Sequence, residues 1–542
     1  MSEFDIIVIG AGAAGGIVAA VLAQAGKTVL LLDRGPNLAY ADLSRDHLRN
    51  QRLSLYGNNA GPSDGHPRVA EQSDGSFKIL RPHQAGYHNN AAIVGGGTRV
   101  FGAQAWRFMP QDFRMASLYG IPQGSSLADW PIDYDDLEPF YERAEWEIGV
   151  AGDAAQHAFE GPRRRPYPMP ATDDTLQRNI LRRGAQRLGI STQPVPMFIN
   201  TVPFNNRAAC VRCGMCIGFD CPTDARNGTH NTMVPLALAT GRCVLEPNAQ
   251  VERVIVDSRG KASGITYYRA DGSRRAASAR IVVISAGAIE SARLLLNSAT
   301  AEFPRGLGNQ HDQVGRNLQG HCYFGAQAIF SERTYDGIGP GPAIATCRWV
   351  HGNPGVVGGA MLANDFIKLP VIYLRGSPPD VPRWGLAAKR WMRDTYSRVI
   401  HVQGPVQEIP SPHGRVMGDP VVRDRWGIPV ARFSGTQHAQ TLHTIRFIHD
   451  RCREWLLASG AQKIWGSTPQ APFLSAGQHQ AGTCRMGNDP ATSVCDPHGA
   501  VHGHENLFVV DASLHVTNGG FNPALTIMAL AYRSAEQIAR FV

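Results

Sequence analysis

Two short segments carry residue types that could do chemistry. Cys210 to Pro222, CVRCGMCIGFDCP, crowds four thiols together, and Gly10-Ala-Gly12-Ala13-Ala14-Gly15 offers bare backbone N–H groups. The first pattern can hold iron or zinc, and the second can hold a phosphate. The cysteines run C-x2-C-x2-C-x4-C-P, whereas bacterial cluster motifs close on a C-x3-C-P step whose last cysteine serves another cluster. No second set of three cysteines follows. Zinc accepts four thiolates, but its usual pattern separates two CxxC pairs by a loop. Cys210, Cys213, Cys216 and Cys221 as iron–sulfur ligands are therefore the weaker reading. Buried reduced thiols, or a local structural role, are the expectation, and no metal site is assigned.

The glycine segment sits in a clear local grammar. Asp5–Ile9 reads as a strand, Ile17–Gln24 as a helix and Thr28–Leu32 as a second strand, a βαβ unit that opens on GxGxxG. Gly10 permits the tight turn, Gly12 lets backbone approach a pyrophosphate, and Gly15 lets the helix lie close on the strand. Ala13 and Ala14 lead into the helix N-terminus. Asp33, followed by Arg34, closes the second strand where an acid can accept from a ribose hydroxyl. Dinucleotide binding follows, although this unit alone does not separate NAD from FAD. A second glycine turn, Val94-Gly-Gly-Gly97-Thr98, offers another backbone approach to a cofactor.

The surrounding elements must position these turns. With 542 residues, two or more structural domains are expected. A hydrophobic content of 43% against 18% charged residues places the chain among globular proteins rather than disordered ones. The net charge of +8 is dispersed, and its densest run, Arg163-Arg164-Arg165, precedes a proline and reads as a solvated loop. A nucleic-acid surface is therefore not expected. No basic leader or 18-residue apolar run appears, so a cytoplasmic protein without membrane insertion is the expectation. Residues 40–90 read as long loops or a lid, and Asp129–Val150 as a helix. Arg280–Ser285 is a strand followed by the helix Ile289–Asn297. Residues 311–475, with Val416–Phe433 as strand–turn–strand, suggest a domain with an antiparallel sheet. Leu507–Val510 and Leu525–Ile538 return to strand and helix.

Two further segments connect this frame to a family. They are His479-Gln-Ala-Gly-Thr-Cys484-Arg-Met-Gly487 and Val509-Val-Asp511-Ala512-Ser513, which continues to Gly519-Gly-Phe-Asn522-Pro523-Ala-Leu-Thr526. Together with the βαβ unit, Asp129–Val150 and Ser285–Leu296 (SAGAIESARLLL), the chain resembles the glucose–methanol–choline (GMC) oxidoreductases. The match covers the first 35 residues and about 90–150, 205–300 and 410–542; it is poor over 40–90 and 310–400.

The resemblance implies an α/β fold: a Rossmann-like FAD-binding domain from discontinuous segments (1–160, 205–310 and 476–542) with an inserted α+β substrate domain (311–475). It also implies alcohol oxidation, with hydride passing to flavin N5. The family's base maps onto His479, whose side-chain type has an ordinary pKa of about 6.5 and so can be neutral at working pH. Its partner, His or Asn in the family, maps onto Asn522. Flavin contacts are implied for Val251, Ala286, Asp511, Ala512, Asn522 and Pro523, beside Gly97 and Thr98. Asp511 is alternatively a turn cap. His515 has no family counterpart and is a candidate wall of the substrate pocket. Val100 occupies the position where some members bond a histidine to the flavin, so noncovalent FAD is expected. The motifs HxxGTxRMG and GxNPxLT are most similar to the pyranose-oxidase branch, with its bacterial glycoside 3-oxidases. That implies oxidation of a secondary hydroxyl, such as C3, on a sugar or glycoside, with oxygen as acceptor.

Three alternatives stay open. One is a sugar dehydrogenase with a partner subunit and a haem or quinone acceptor. Another is a lyase on the same fold in which FAD is structural. The last is a NAD-dependent dehydrogenase using the N-terminal unit alone.

Overall fold

The computed structural model describes residues 3–43, 61–72, 74–84, 86–88, 91–156, 161–365 and 369–541. Phe4–Ile9 and Val29–Leu32 are nearly unbroken apolar runs, the pattern of strands covered on both faces. They pair in parallel, Ile6 opposite Val29. The parallel part of the sheet runs Cys243–Glu246, Val29–Leu32, Phe4–Ile9, Arg274–Ile284, Leu507–Val509. The long strand Arg274–Ile284 serves two sheets at once. Arg274–Ser278 pairs antiparallel with Ala262–Tyr268, and Ala279–Ile284 pairs parallel with Phe4–Ile9. The helix Gly15–Gln24 packs against the C-terminal helix Ala524–Phe541, which packs against Tyr134–Ala144.

Several expectations change in detail. The region read as loops over residues 40–90 contains the strands Arg68–Glu71 and Phe77–Leu80. Arg68–Glu71 pairs in parallel with Pro429–Ser434, so the strand–turn–strand unit, seen as Arg415–Arg423 and Pro429–Ser434, joins this hairpin in one sheet. Residues 44–60 of the expected lid lie outside the described residues. The helix expected over Asp129–Val150 is α-helical from Tyr134 to Ala144, with Asp133 accepting from the Asp136 N–H at its start. It ends in a π turn, Glu145–Gly149.

A five-stranded antiparallel sheet lies in the 311–475 region, with Ala326–Ile329 and Val399–Gln403 at its centre. The helix Ala439–Ala458 packs on it through Ile445, Ile448, Cys452 and Trp455. A small three-stranded sheet, Val406–Gln407, Gln319–Cys322 and Gln478–Ala481, runs beside it. It joins the 311–475 region to the segment that begins the C-terminal motif. Among the described residues, no helix is long and apolar enough to cross a membrane.

One buried ion cluster anchors the widened turn. Arg107 is fully buried and donates to both carboxylate oxygens of Glu145, each at 2.8 Å, and to Glu138 at 3.1 Å. Arg163 reaches Glu145 from the other side at 2.8 and 2.9 Å. Removing one partner strands a buried charge, which typically costs about 3–5 kcal/mol. Glu145→Gln is therefore expected to lower the thermal unfolding midpoint clearly; an unchanged midpoint would show that Arg107 and Arg163 need no anion there.

Candidate active site

Parallel strands deliver their following turns to one edge, and open α/β sheets bind ligands there. The turns after Ile9, Leu32, Ile284 and Val509 meet at this edge. All the expected contact residues except Gly15 line one cavity of about 1090 Å³, slightly above the ~300–1,000 Å³ typical of drug-sized ligands. Gly15 acts through packing: a Cβ there would lie 1.8 Å from the Gly10 carbonyl oxygen, and one on Gly10 would lie 2.4 Å from that of Ser285. Among the described residues, the helix Gly15–Gln24 has no side-chain cap at its start; the Gly16 N–H donates to the Gly12 carbonyl at 3.1 Å, and the other N–H groups of the first turn suit an anion.

The acids at this edge have more partners than a single ribose. Asp33 accepts from the Ala11 N–H at 2.9 Å and the Gly35 N–H at 2.8 Å. Burial raises its pKa against those two bonds. It thus shapes the glycine turn as well as facing the cavity. Arg34 also faces the cavity but pairs with Glu290 at 3.3 Å. Glu290 further holds Arg68 at 2.7 Å and Arg293 at 3.0 Å. Burial opposes its ionisation, but Arg34, Arg293 and Arg68 outweigh burial and hold the carboxyl well below the usual range. No sequence signal marked this cluster, because Arg68 and Glu290 meet only in the fold. Asp511 accepts from the N–H groups of Gly287 and Ser513 at 2.9 and 2.8 Å and from the Ser291 hydroxyl at 2.5 Å. Its hydrogen bonds are those of a turn cap, tying the last strand to the helix Ala288–Asn297.

The other end of the cavity carries His479, Asn522 and Tyr323. The Gly482 N–H donates to the Ala512 carbonyl at 3.1 Å and the Cys484 N–H to that of Ser513 at 2.9 Å, which seats the His479 segment on the Asp511 turn. His479 has a positive φ of 56°, uncommon for a residue with a Cβ, and its carbonyl accepts from Asn518 Nδ2 at 2.8 Å. Asn522 Nδ2 donates to Tyr323 Oη at 3.1 Å, while its Oδ1 is buried with no partner among the described residues. Buried amide oxygens are normally satisfied, so this atom fits a ligand hydroxyl or N–H. Tyr323 sets its ring edge-on to His479, 5.9 Å between centroids. His515 is not a cavity wall: it is fully buried, packs on Trp130 and Phe108, and bonds Asn518 Oδ1 at 3.0 Å through Nδ1. Its place next to the motif in sequence does not carry it to the same surface.

The four cysteines form part of a strap across the second glycine turn and are not buried as a group: Cys213 is exposed and the other three are half-buried. Gly218 N–H donates to the Val100 carbonyl at 2.8 Å, and Asp220 pairs with Arg99 at 2.9 Å. Ile217 from this strap faces the cavity. Burial pushes the Cys216 thiol up to about 12 and also raises Cys210. Among the described residues, no three His, Cys, Asp or Glu side chains are placed to hold a metal ion.

Comparison with known proteins places this geometry. The N-terminal GMC oxidoreductase model matches residues 4–323 and the C-terminal one residues 410–531. The 6'''-hydroxyparomomycin C oxidase of Streptomyces lividus is 29% identical, covering 99% of this chain and 91% of the relative. The fructose dehydrogenase large subunit of Gluconobacter japonicus is 26% identical, covering 98% and 97%. Among solved structures, pyridoxine 4-oxidase from Mesorbium loti superposes with a TM-score of 0.64 at 17% identity, covering 99% of both chains. That likeness shows the same mixed α/β fold. With both family models matched in order over most of its length, the chain belongs to the GMC oxidoreductase family.

Proposed function

We propose that this oxidoreductase uses noncovalent FAD to oxidise a secondary hydroxyl of a sugar or glycoside, with C3 as the position and His479 as base. The observation that carries the reading is that His479 and Asn522 line the same cavity as the Gly10–Gly12 turn. The residues fit FAD: the uncapped helix start suits a pyrophosphate, and the turns after Ile9 and Ile284 leave backbone exposed to the cavity. Val100 presents only methyl groups where a covalent link would need a nucleophile. When bound, FAD supplies the acceptor for the substrate's hydride.

The chain's own residues manage the proton and the orientation. An alkoxide expels hydride far more readily than a neutral alcohol, so His479 takes the hydroxyl proton as the C–H bond breaks. Asn522 and Tyr323, held together at 3.1 Å, orient the same oxygen. The 311–475 region contributes Asp365, Arg375 and Gln403 to the cavity. Asp365 accepts from Gln403 Nε2 at 2.8 Å and bonds His401 at 2.8 Å. Such a convergent polar set suits a polyhydroxylated substrate, in keeping with relatives whose names specify an aminoglycoside and fructose. A second reading, a dehydrogenase with a partner subunit, is favoured by the relative named as a large subunit.

His479→Ala is expected to keep FAD bound while slowing anaerobic flavin reduction on the order of a hundredfold or more. Reduction near the wild-type rate would remove His479 from the role of base. Acid precipitation should leave the flavin in the supernatant, and flavin retained in the pellet would mean a covalent tether. Anaerobic mixing with free sugars and O- and C-glycosides should bleach the flavin; a flavin that stays oxidised while a substrate is cleaved would identify a lyase. Peroxide release in air marks an oxidase, whereas turnover only with dyes marks a dehydrogenase.

A further inference from the structure

We infer that His321 is a positioning residue that fixes the tautomer of His479 and so selects Nε2 of His479 as the atom that receives the substrate proton. The inference rests on the reading of His479 as base. His321 lies on Gln319–Cys322, which pairs antiparallel with Gln478–Ala481, His321 opposite Gln478. Its Nδ1 stands 3.0 Å from His479 Nδ1, and its Nε2 stands 2.8 Å from the Gly519 carbonyl oxygen.

A carbonyl only accepts, so His321 Nε2 carries a proton. His321 is buried, and burial lowers its pKa to about 4 against backbone bonds that favour the cation. It is therefore neutral near pH 7, and its Nδ1 is an acceptor. The short Nδ1–Nδ1 contact then requires His479 Nδ1 to donate. A neutral His479 consequently holds its lone pair on Nε2. When the alcohol O–H bond breaks, its proton goes to that lone pair; bound FAD would take the C–H electron pair as hydride. The resulting His479 cation keeps donating Nδ1–H to a neutral acceptor, which favours the charged form.

The other polar and titratable groups around the pair come from separate elements. Asp112, bonded to His351, acts on His321 from the turn Pro110–Phe113. His515 lies behind it and is itself lowered by burial to about 4. Tyr323 borders His479 on the cavity side. Gly519 belongs to the loop that carries Asn522, so a single chain of hydrogen bonds sets both the base and its loop.

The test is the pH profile of anaerobic flavin reduction at saturating sugar or glycoside. His321→Leu is expected to retain FAD and to lower the reduction rate on the order of ten- to a hundredfold, with less effect on KM. Its low-pH limb should move to lower pH, because the His479 cation has lost its acceptor. His321→Asn, whose amide oxygen can stand at the Nδ1 position and accept from His479 Nδ1–H, should recover most of the rate and the wild-type limb. A wild-type rate and limb in His321→Leu would overturn the inference. So would loss of rate in both variants with the limb unmoved, which marks a purely structural role. If His321→Leu fails to fold, nitrogen-15 histidine spectra of the wild type decide, with His479 assigned by its loss in His479→Ala. An Nδ1–H tautomer supports the inference, and an Nε2–H tautomer ends it. Near wild-type reduction in His479→Ala would instead sink the base assignment on which this rests.

Discussion

The cavity depends on how closely separate stretches of backbone approach one another at the carboxyl end of the parallel sheet. Gly10 lies against Ser285, and Gly15 lies against Gly10, at distances that leave no space for a Cβ. Sheet register sets this approach. Ile9 pairs with Ile284, and Ile284 pairs with Val509, so three strands end level and their turns share one edge. Asp33 and Asp511 then tie those turns together through backbone N–H groups rather than through each other. Acidic side chains thus serve first to hold backbone, and a dinucleotide would meet turns that these bonds already fix.

The end of the cavity that carries His479 is built on a different principle. His479 belongs to a short strand of a three-stranded sheet whose other members come from the 311–475 region. Buried Glu408, pushed up to about 7 by burial, accepts from the Gly320 and Ala476 N–H groups through one oxygen, each at 2.9 Å. It therefore pins both strands within a few residues of His321 and His479. Preorganisation of this kind matters because misplacing a general base by an ångström can remove much of its effect.

Much of this was readable from local pattern. The βαβ unit, the helix around Tyr134–Ala144 and the strand before Ala286 each carry their signal within a few residues. The family motifs added His479, Asn522 and Asp511. What escaped the sequence is what depends on distant partners. Arg68–Glu71 is a four-residue strand whose neighbour, Pro429–Ser434, lies far along the chain, so neither length nor alternation marks it. His321 stands in QGHCYF with no distinguishing spacing, and only the pairing of its strand with Gln478–Ala481 brings it to His479. Arg34 and Asp511 line the cavity, but their partners Glu290 and Gly287 were not visible in the sequence, because ion pairs and caps across segments leave no periodic trace. His515 shows the opposite case, a residue beside a motif whose side chain turns into the core.

The central strand Arg274–Ile284 has one neighbour from the start of the chain and another, Leu507–Val509, from near its end. On a ribosome adding about 5–20 residues each second, the first neighbour waits many seconds for the strand and longer for the far edge. The N-terminal βαβ unit therefore emerges with the open side of Phe4–Ile9 uncovered and, until Ala524–Phe541 arrives, with one face of Gly15–Gln24 bare. Such non-local closure is slow and leaves apolar surface exposed in the meantime. The interval during which that surface stays in water is set by the order in which the strands emerge, a property separate from the stability of the finished fold.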